Sequence, residues 1–295
     1  MTPNTPASGQ AHPDARERVR SAVTHPSYRL AEADPDFVGG QDLRAVRLEL
    51  DYLKTEHGLA AHEIAHTVVV FGSTRIPEPA AAQRALDAAR QARDAAPQDA
   101  DLQAAHALAE RIAVNSRYYV IARAFARRIA EAGDGQNGDK IAIMTGGGPG
   151  LMEAANRGAM DLSSQSVGLN IALPQEQAPN PYLTEGLCFQ LHYFAMRKLH
   201  FLLRARALVA FPGGFGTFDE LFETLVLVQT RKIAPLPILL VGRDFWSRAV
   251  DFGFLQEQGV ISRGDRALFS FVETADEAFD HIANWYRNLG TPLFG

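Results

Sequence analysis

The rhythm of apolar and polar positions changes near residue 66. Before it, QDLRAVRLELDYLKTEH (41–57) spaces Leu43, Val46, Leu50 and Leu53 at helical intervals, which predicts an amphipathic helix. At HTVVVFGSTR (66–75) the continuous run Val68 to Phe71 ends in Gly-Ser, the pattern of a buried parallel strand and its following loop. Residues 80–110 hold fourteen alanines and predict one or two helices broken near Pro97, since alanine has the highest helix propensity. A further helix is expected over 115–132, with Tyr119, Phe125 and Ile129 among its apolar positions.

From residue 141 the chain alternates strictly. Strands with their turns are predicted at 141–148, 167–174, 187–193, 207–214, 237–242 and 268–273. Helices are predicted at 149–160, with Pro149 in the first turn, and at 194–205, 217–232, 245–259 and 275–289. Strands alternating with helices imply right-handed crossovers and a parallel sheet covered on both faces, an α/β fold. Ligands in such sheets bind beyond the carboxyl ends of the strands, where both glycine clusters fall.

Composition narrows the function more than it names it. In 295 residues, 29 Lys+Arg stand against 34 Asp+Glu, and a net charge of −5 argues against a nucleic-acid partner. One cysteine, Cys188, forms no internal disulfide and no thiolate metal cage. It is expected to be buried in its strand, and the chain suits a reducing compartment. The polar opening run has no apolar segment of a secretory signal, and no stretch is long enough to span a membrane, so a cytoplasmic location is expected. Residues 1 to about 20 have the composition of a disordered tail.

The stronger glycine cluster is FPGGFGTFDE (211–220). A strand runs into Gly213, Gly214, Phe215 and Gly216, and a helix opens at Thr217. Glycines let backbone N–H groups approach an anion, the helix N-terminus adds partial positive charge, and Thr217 offers a hydroxyl as cap or ligand. The same residues also suit a tight turn with a good cap. Asp219 and Glu220 complement the helix dipole, but a carboxylate beside a phosphate makes better sense facing a part of the ligand that becomes cationic.

The second cluster is TGGGPGLME (145–153). It departs from the dinucleotide fingerprint, whose third glycine would fall on Leu151. Phe71 to Arg75, including Ser73, is a third candidate loop. Arg197-Lys198 precedes the phosphate-type loop, either on a solvated face or facing the site, and Arg204 lies seven residues on, on the same helix face.

Two other patterns point elsewhere. HEIAH (62–66) fits the zinc-peptidase motif, but His66 runs into a strand instead of continuing a helix, and no further His follows at ligand spacing. A pyridoxal-phosphate decarboxylase needs a Lys in the site. The four lysines, Lys54, Lys140, Lys198 and Lys232, all lie outside the glycine loops.

PGGFGTFDE, GGGPGLME and the upstream Arg197-Lys198 together resemble the LOG-type nucleotide phosphoribohydrolases, often labelled "lysine decarboxylase". The resemblance runs in register from residue 66 to about 260. It implies a Rossmann-like, doubly wound fold over residues 66–295 as the nucleotide-binding catalytic domain, with residues 1–65 as tail and helical extension. The implied activity is hydrolysis of the N-glycosidic bond of nucleoside 5′-monophosphates to free base and ribose 5-phosphate, without metal or organic cofactor, in a homodimer or higher homo-oligomer. Arg197 and Glu220 would be the catalytic pair, and Gly213, Gly214, Phe215, Gly216 and Thr217 would hold the 5′-phosphate. Ser73, Gly148, Met152, Glu153, Glu176, Asn180, Lys198 and Asp219 are candidates for base or ribose contact. Among them Met152 also suits the core, and Glu176 and Asn180 also suit a polar surface loop.

Pro149 and Glu153 depart from the plant-type loop, which ends in Gly, and resemble larger bacterial nucleotide nucleosidases. That favours AMP-like substrates over cytokinin ribotides. The chemistry fits independently: an oxocarbenium-like transition state suits a carboxylate such as Glu220, which can also orient or deprotonate water, while Arg197 clamps phosphate or ribose. A nucleotide-binding or carrier protein without catalysis is the alternative on the same fold.

Overall fold

The computed structural model describes residues 14–135, 138–173 and 178–294. They fall into two units that divide between Leu50 and Asp51. The first holds helices α1 (Ala15–Thr24) and α2 (Pro35–Gly39) and the start of α3 (Arg44–Ala61). Composition suggested disorder to about residue 20, but Ala15 to Arg20 are helical. Asp34 caps α2 by accepting the amides of Asp36 and Phe37.

The second unit is a sheet with its helices. In chain order it contains β1 (Ile64–Phe71), α4 (Pro79–Ala95), α5 (Ala100–Asn115), α6 (Arg117–Ala132), β2 (Lys140–Thr145), α7 (Leu151–Met160), β3 (Ser166–Ile171) and β4 (Cys188–Leu191). Then come α8 (Phe194–Leu203), β5 (Ala205–Ala210), α9 (Phe215–Gln229), β6 (Ile238–Val241), α10 (Arg243–Ala249), α11 (Phe252–Glu257), β7 (Ser270–Val272) and α12 (Ala275–Asn288). The alanine-rich segment is a pair of helices, and Asp99 caps the second by accepting the amides of Asp101 and Leu102.

All seven strands are parallel, in the order β4-β3-β2-β1-β5-β6-β7. The chain winds outward from β1 to β4, returns to β5 on the other side of β1, and winds outward again. The switch point therefore lies between β1 and β5, where a crevice opens at the carboxyl ends. Alternate residues of β1 feed two cores. Val68 and Val70 pack with Phe125 of α6, Leu151 of α7 and Ile282 of α12. Val69 and Phe71 pack with Leu59 of α3, Phe201 of α8, Leu221 of α9 and Trp246 of α10. Burying each such side chain contributes about 1.5–3 kcal/mol. This is the doubly wound, Rossmann-like α/β architecture expected from the alternation.

Several boundaries differ for local reasons. The helix expected at 245–259 is two helices, because Val250 is extended and Asp251 starts a new turn by accepting the amide of Phe254. The helix expected from Pro149 begins at Leu151, after Gly150 at φ +73°. A Cβ on Gly150 would collide with the Ser73 carbonyl oxygen, which accepts the Leu151 amide at 3.0 Å, so this glycine lets the loops after β1 and β2 meet. Cys188, expected to be buried, is exposed because β4 alternates, with Phe189 and Leu191 on its covered face and Cys188 and Gln190 on the open one.

Candidate active site

The loops after β1, β2, β3 and β5 enclose a cavity of about 850 Å³ at the switch point. One wall is the start of α9. Gly214 precedes it, and the helix opens at Phe215, so the first amides of α9 have no intrahelical acceptor and lie at the cavity. Gly214, Phe215, Gly216 and Thr217 line the wall, whereas Gly213 stands behind it against the Thr217 side chain. The cap position of α9 is Gly214, so Thr217 lies inside the first turn and is not the cap residue, which corrects the cap reading; its side chain packs against Gly213. The Phe215 ring is 95% exposed, so what this residue brings to an anion is its amide.

The three glycines are not equivalent. A Cβ on Gly213 would strike the Thr217 side chain, while a Cβ on Gly214 or Gly216 meets nothing within 4 Å. Gly213 serves the packing of the loop; the space at Gly214 and Gly216 is left to a ligand. Gly214→Ala should therefore leave the melting temperature within about 1 °C of the parent, since its backbone is extended, and lower kcat/KM for the reaction proposed below about tenfold or more. Gly213→Ala should lower both. Thermal melts beside steady-state kinetics check the pair, and equal kcat/KM in Gly214→Ala and parent would return the loop to a plain turn.

Arg197 on α8 and Glu220 on α9 line the same cavity. Glu220 is buried, and desolvation pushes its carboxyl up to about 7. Arg197 and Lys198 oppose that shift, while Glu223 and Asp219 reinforce it. Burial also works against the charge on Arg197, and Glu220 partly offsets this. Among the described residues the two form no direct ion pair, and Arg197 Nε is closed off from solvent with no hydrogen-bond partner. The guanidinium rests on the rings of Phe194 and Phe201, 6.0 and 5.3 Å from their centroids. A Cβ on Gly146 would collide with it, so one glycine of the second cluster makes room for Arg197.

Ser73, Gly148, Met152 and Asp219 also line the cavity. Four other candidates stand differently. Glu153 accepts a hydrogen bond from the Tyr119 hydroxyl at 2.8 Å and faces α6, not the cavity. Asn180 is buried and structural: its Nδ2 donates to the Gly148 carbonyl at 3.0 Å and to Asn156 Oδ1 at 2.9 Å. Asn156 Oδ1 also accepts from Thr145 Oγ1, which in turn accepts the Gly147 amide. This buried group fixes the loop after β2. Lys198 lies outside the cavity lining, with Nζ 2.8 Å from Asp219 and 3.1 Å from Glu223. Glu176 falls outside the described residues. Arg204 does not share the Arg197 surface; it pairs with Glu56 at 2.6 Å.

The sequence reading missed Asn170, Phe194 and Asn156. Asn170 and Phe194 line the cavity. A lone polar residue near the end of an apolar strand was the available signal for Asn170. His62 and His66 lie on different elements, since His66 is in β1 while His62 follows α3. The zinc-peptidase pattern therefore lacks its helix.

Residues 152–282 match the family model described as "Possible lysine decarboxylase". Over 123 residues the chain is 30% identical to cytokinin riboside 5′-monophosphate phosphoribohydrolase LOG2 of Arabidopsis thaliana. The family match takes in less than half of the chain. The alignment takes in 38% of this chain and 56% of that relative, so the chain spans little more than half the length of the curated protein it matches. Two solved structures are similar at a low level. One is the structural-genomics target TM1055, with 20% identity, a TM-score of 0.42, and coverage of 74% of this chain and 99% of that one. The other is the molybdenum cofactor carrier protein of Chlamydomonas reinhardtii, with 16% identity, a TM-score of 0.41, and coverage of 75% and 99%. The segment PGGFGTFDE forms the cavity wall at the start of α9 and contributes Glu220, and Lys198, beside Arg197, is engaged by two carboxylates.

Proposed function

We propose that this chain hydrolyses the N-glycosidic bond of nucleoside 5′-monophosphates, releasing free base and ribose 5-phosphate. The observation that carries the reading is Glu220, a buried carboxyl pushed up to about 7 beside a guanidinium, in the cavity where the first amides of α9 are open. The α9 amides and Thr217 take the 5′-phosphate. Arg197 fixes the sugar or phosphate, and ionised Glu220 faces C1′, where positive charge builds as the glycosidic bond breaks. Glu220 also takes a proton from the attacking water as its oxygen bonds C1′, and that proton goes on to the departing base, a task suited to a group that titrates near neutral pH.

The reading takes AMP-like nucleotides as substrates ahead of cytokinin ribotides. It also includes a cytoplasmic homodimer formed through the half-exposed apolar residues Phe194, Leu199 and Leu203 of α8 and Val226 of α9. The test is a panel of nucleoside monophosphates, cytokinin ribotides and the matching nucleosides, read by base release, with molar mass measured on the same preparation. AMP should be cleaved and adenosine left largely intact. Tight nucleotide binding with no base released from any member would replace the reading with that of a carrier.

A further inference from the structure

The helix that carries Arg197 is held at both ends by one element. At the start of α8, Asp51 Oδ2 accepts the amides of His192 and Tyr193 at 2.8 and 3.0 Å, placing a carboxylate at the helix N-terminus. At the other end Arg204, the residue that closes α8, makes a two-pronged ion pair with Glu56. Nη1 is 2.6 Å from Oε1, and Nη2 is 2.9 Å from Oε2. Arg204 Nε also donates to the Ile64 carbonyl at the entry of β1. Between these ends His200 is fully buried, stacked on Tyr52 with Nδ1 3.2 Å from Glu56 Oε1. Asp51, Tyr52 and Glu56 all belong to α3 and to the same unit as the sheet.

We propose that this stretch of α3 is a clamp in which Asp51 and Glu56 are positioning residues for Arg197. The proposal rests on the hydrolytic role of Arg197 given above. The Arg197 guanidinium is stacked on rings and makes no hydrogen bond through its Nε among the described residues. Those rings restrain its height more than its lateral position. Its place in the cavity is therefore inherited from the backbone of α8. That helix has ten residues, about 15 Å, so fixing its two ends fixes its middle. Two acidic side chains of α3 make those two attachments, and neither lines the cavity. A displacement of about 1 Å in such a group costs on the order of a hundredfold in rate.

The test uses the full chain and AMP hydrolysis, with Asp51→Asn, Glu56→Gln and the double variant Glu56→Gln/Arg204→Met. The clamp predicts that kcat falls about tenfold or more in each single variant. KM should stay within about twofold, because the phosphate wall on α9 is untouched. The double variant removes the unpaired Arg204 charge. Its melting temperature should recover toward that of the parent while kcat stays low, which a merely stabilising ion pair would not produce. Unchanged kcat in the single variants, or recovery of kcat together with the melting temperature in the double, overturns the proposal. If the parent released no base from any nucleotide, the nucleosidase reading would fall. The clamp would then be judged by amide hydrogen exchange. Faster exchange over residues 192–203 in the single variants would uphold it, and parental exchange rates would refute it.

Discussion

Glu220→Gln should lower base release from AMP by a factor on the order of 10²–10⁴ while making the fold more stable at neutral pH. The two effects share one cause. Burial raises the Glu220 carboxyl to about 7 from the 4.5 of a free glutamate, so the native state binds a proton over a range in which the unfolded chain has lost it. The sign follows. Below about pH 4.5 both states are protonated and Glu220 makes no difference. Between 4.5 and 7 the parent loses stability as pH rises, and above 7 the loss is complete at about 3 kcal/mol. Glutamine does not titrate, so the stability difference between variant and parent should move in favour of the variant by about 3 kcal/mol between pH 4 and pH 8. Denaturant melts at the two pH values measure it. A difference independent of pH would mean that Glu220 titrates as an ordinary glutamate and is not held ready for catalysis. The parent's kcat/KM should rise with pH to a plateau above about 7, since the reacting form is the carboxylate.

What could be read from the chain, and what could not, divides along local and non-local lines. The sheet and its two helical faces follow from alternating apolar strands and amphipathic helices, because each segment's pattern is set by the surface it buries. PGGFGTFDE is legible for the same reason: strand end, turn, helix start and carboxylate lie within eleven consecutive residues. The candidates that changed role did so through partners far along the chain. Asn180 is engaged by Gly148 and Asn156, Glu153 by Tyr119, and Lys198 by Asp219. A polar residue near a motif reads as a ligand until its distant partner is known. Gly146 makes the same point in reverse. Its neighbours suggested a ligand loop, whereas what needs its missing side chain is the guanidinium of Arg197, fifty-one residues on. The extension before β1 carried no motif that pointed to α8, because Asp51 and Glu56 act through that helix, to which nothing in their own spacing points.

Arg197→Met should be the second large loss, and its pH profile should separate two roles of the guanidinium. Methionine fills similar volume on the Phe194 and Phe201 rings and removes a charge that burial disfavours, so the variant should fold at least as stably as the parent. Losing the positive charge leaves Glu220 without its main opposing influence, and its carboxyl should titrate higher still than about 7. At pH 7 less of it is then ionised, and kcat/KM falls for that reason alone. Losing the clamp on sugar or phosphate costs a further factor on the order of 10²–10³ at every pH. Raising the pH to 9 should therefore restore the ionisation part of the deficit and leave the rest. An unshifted profile with a uniform loss would mean that Arg197 binds substrate but does not tune Glu220. A shifted profile with full recovery at high pH would mean that it tunes the carboxylate and holds nothing.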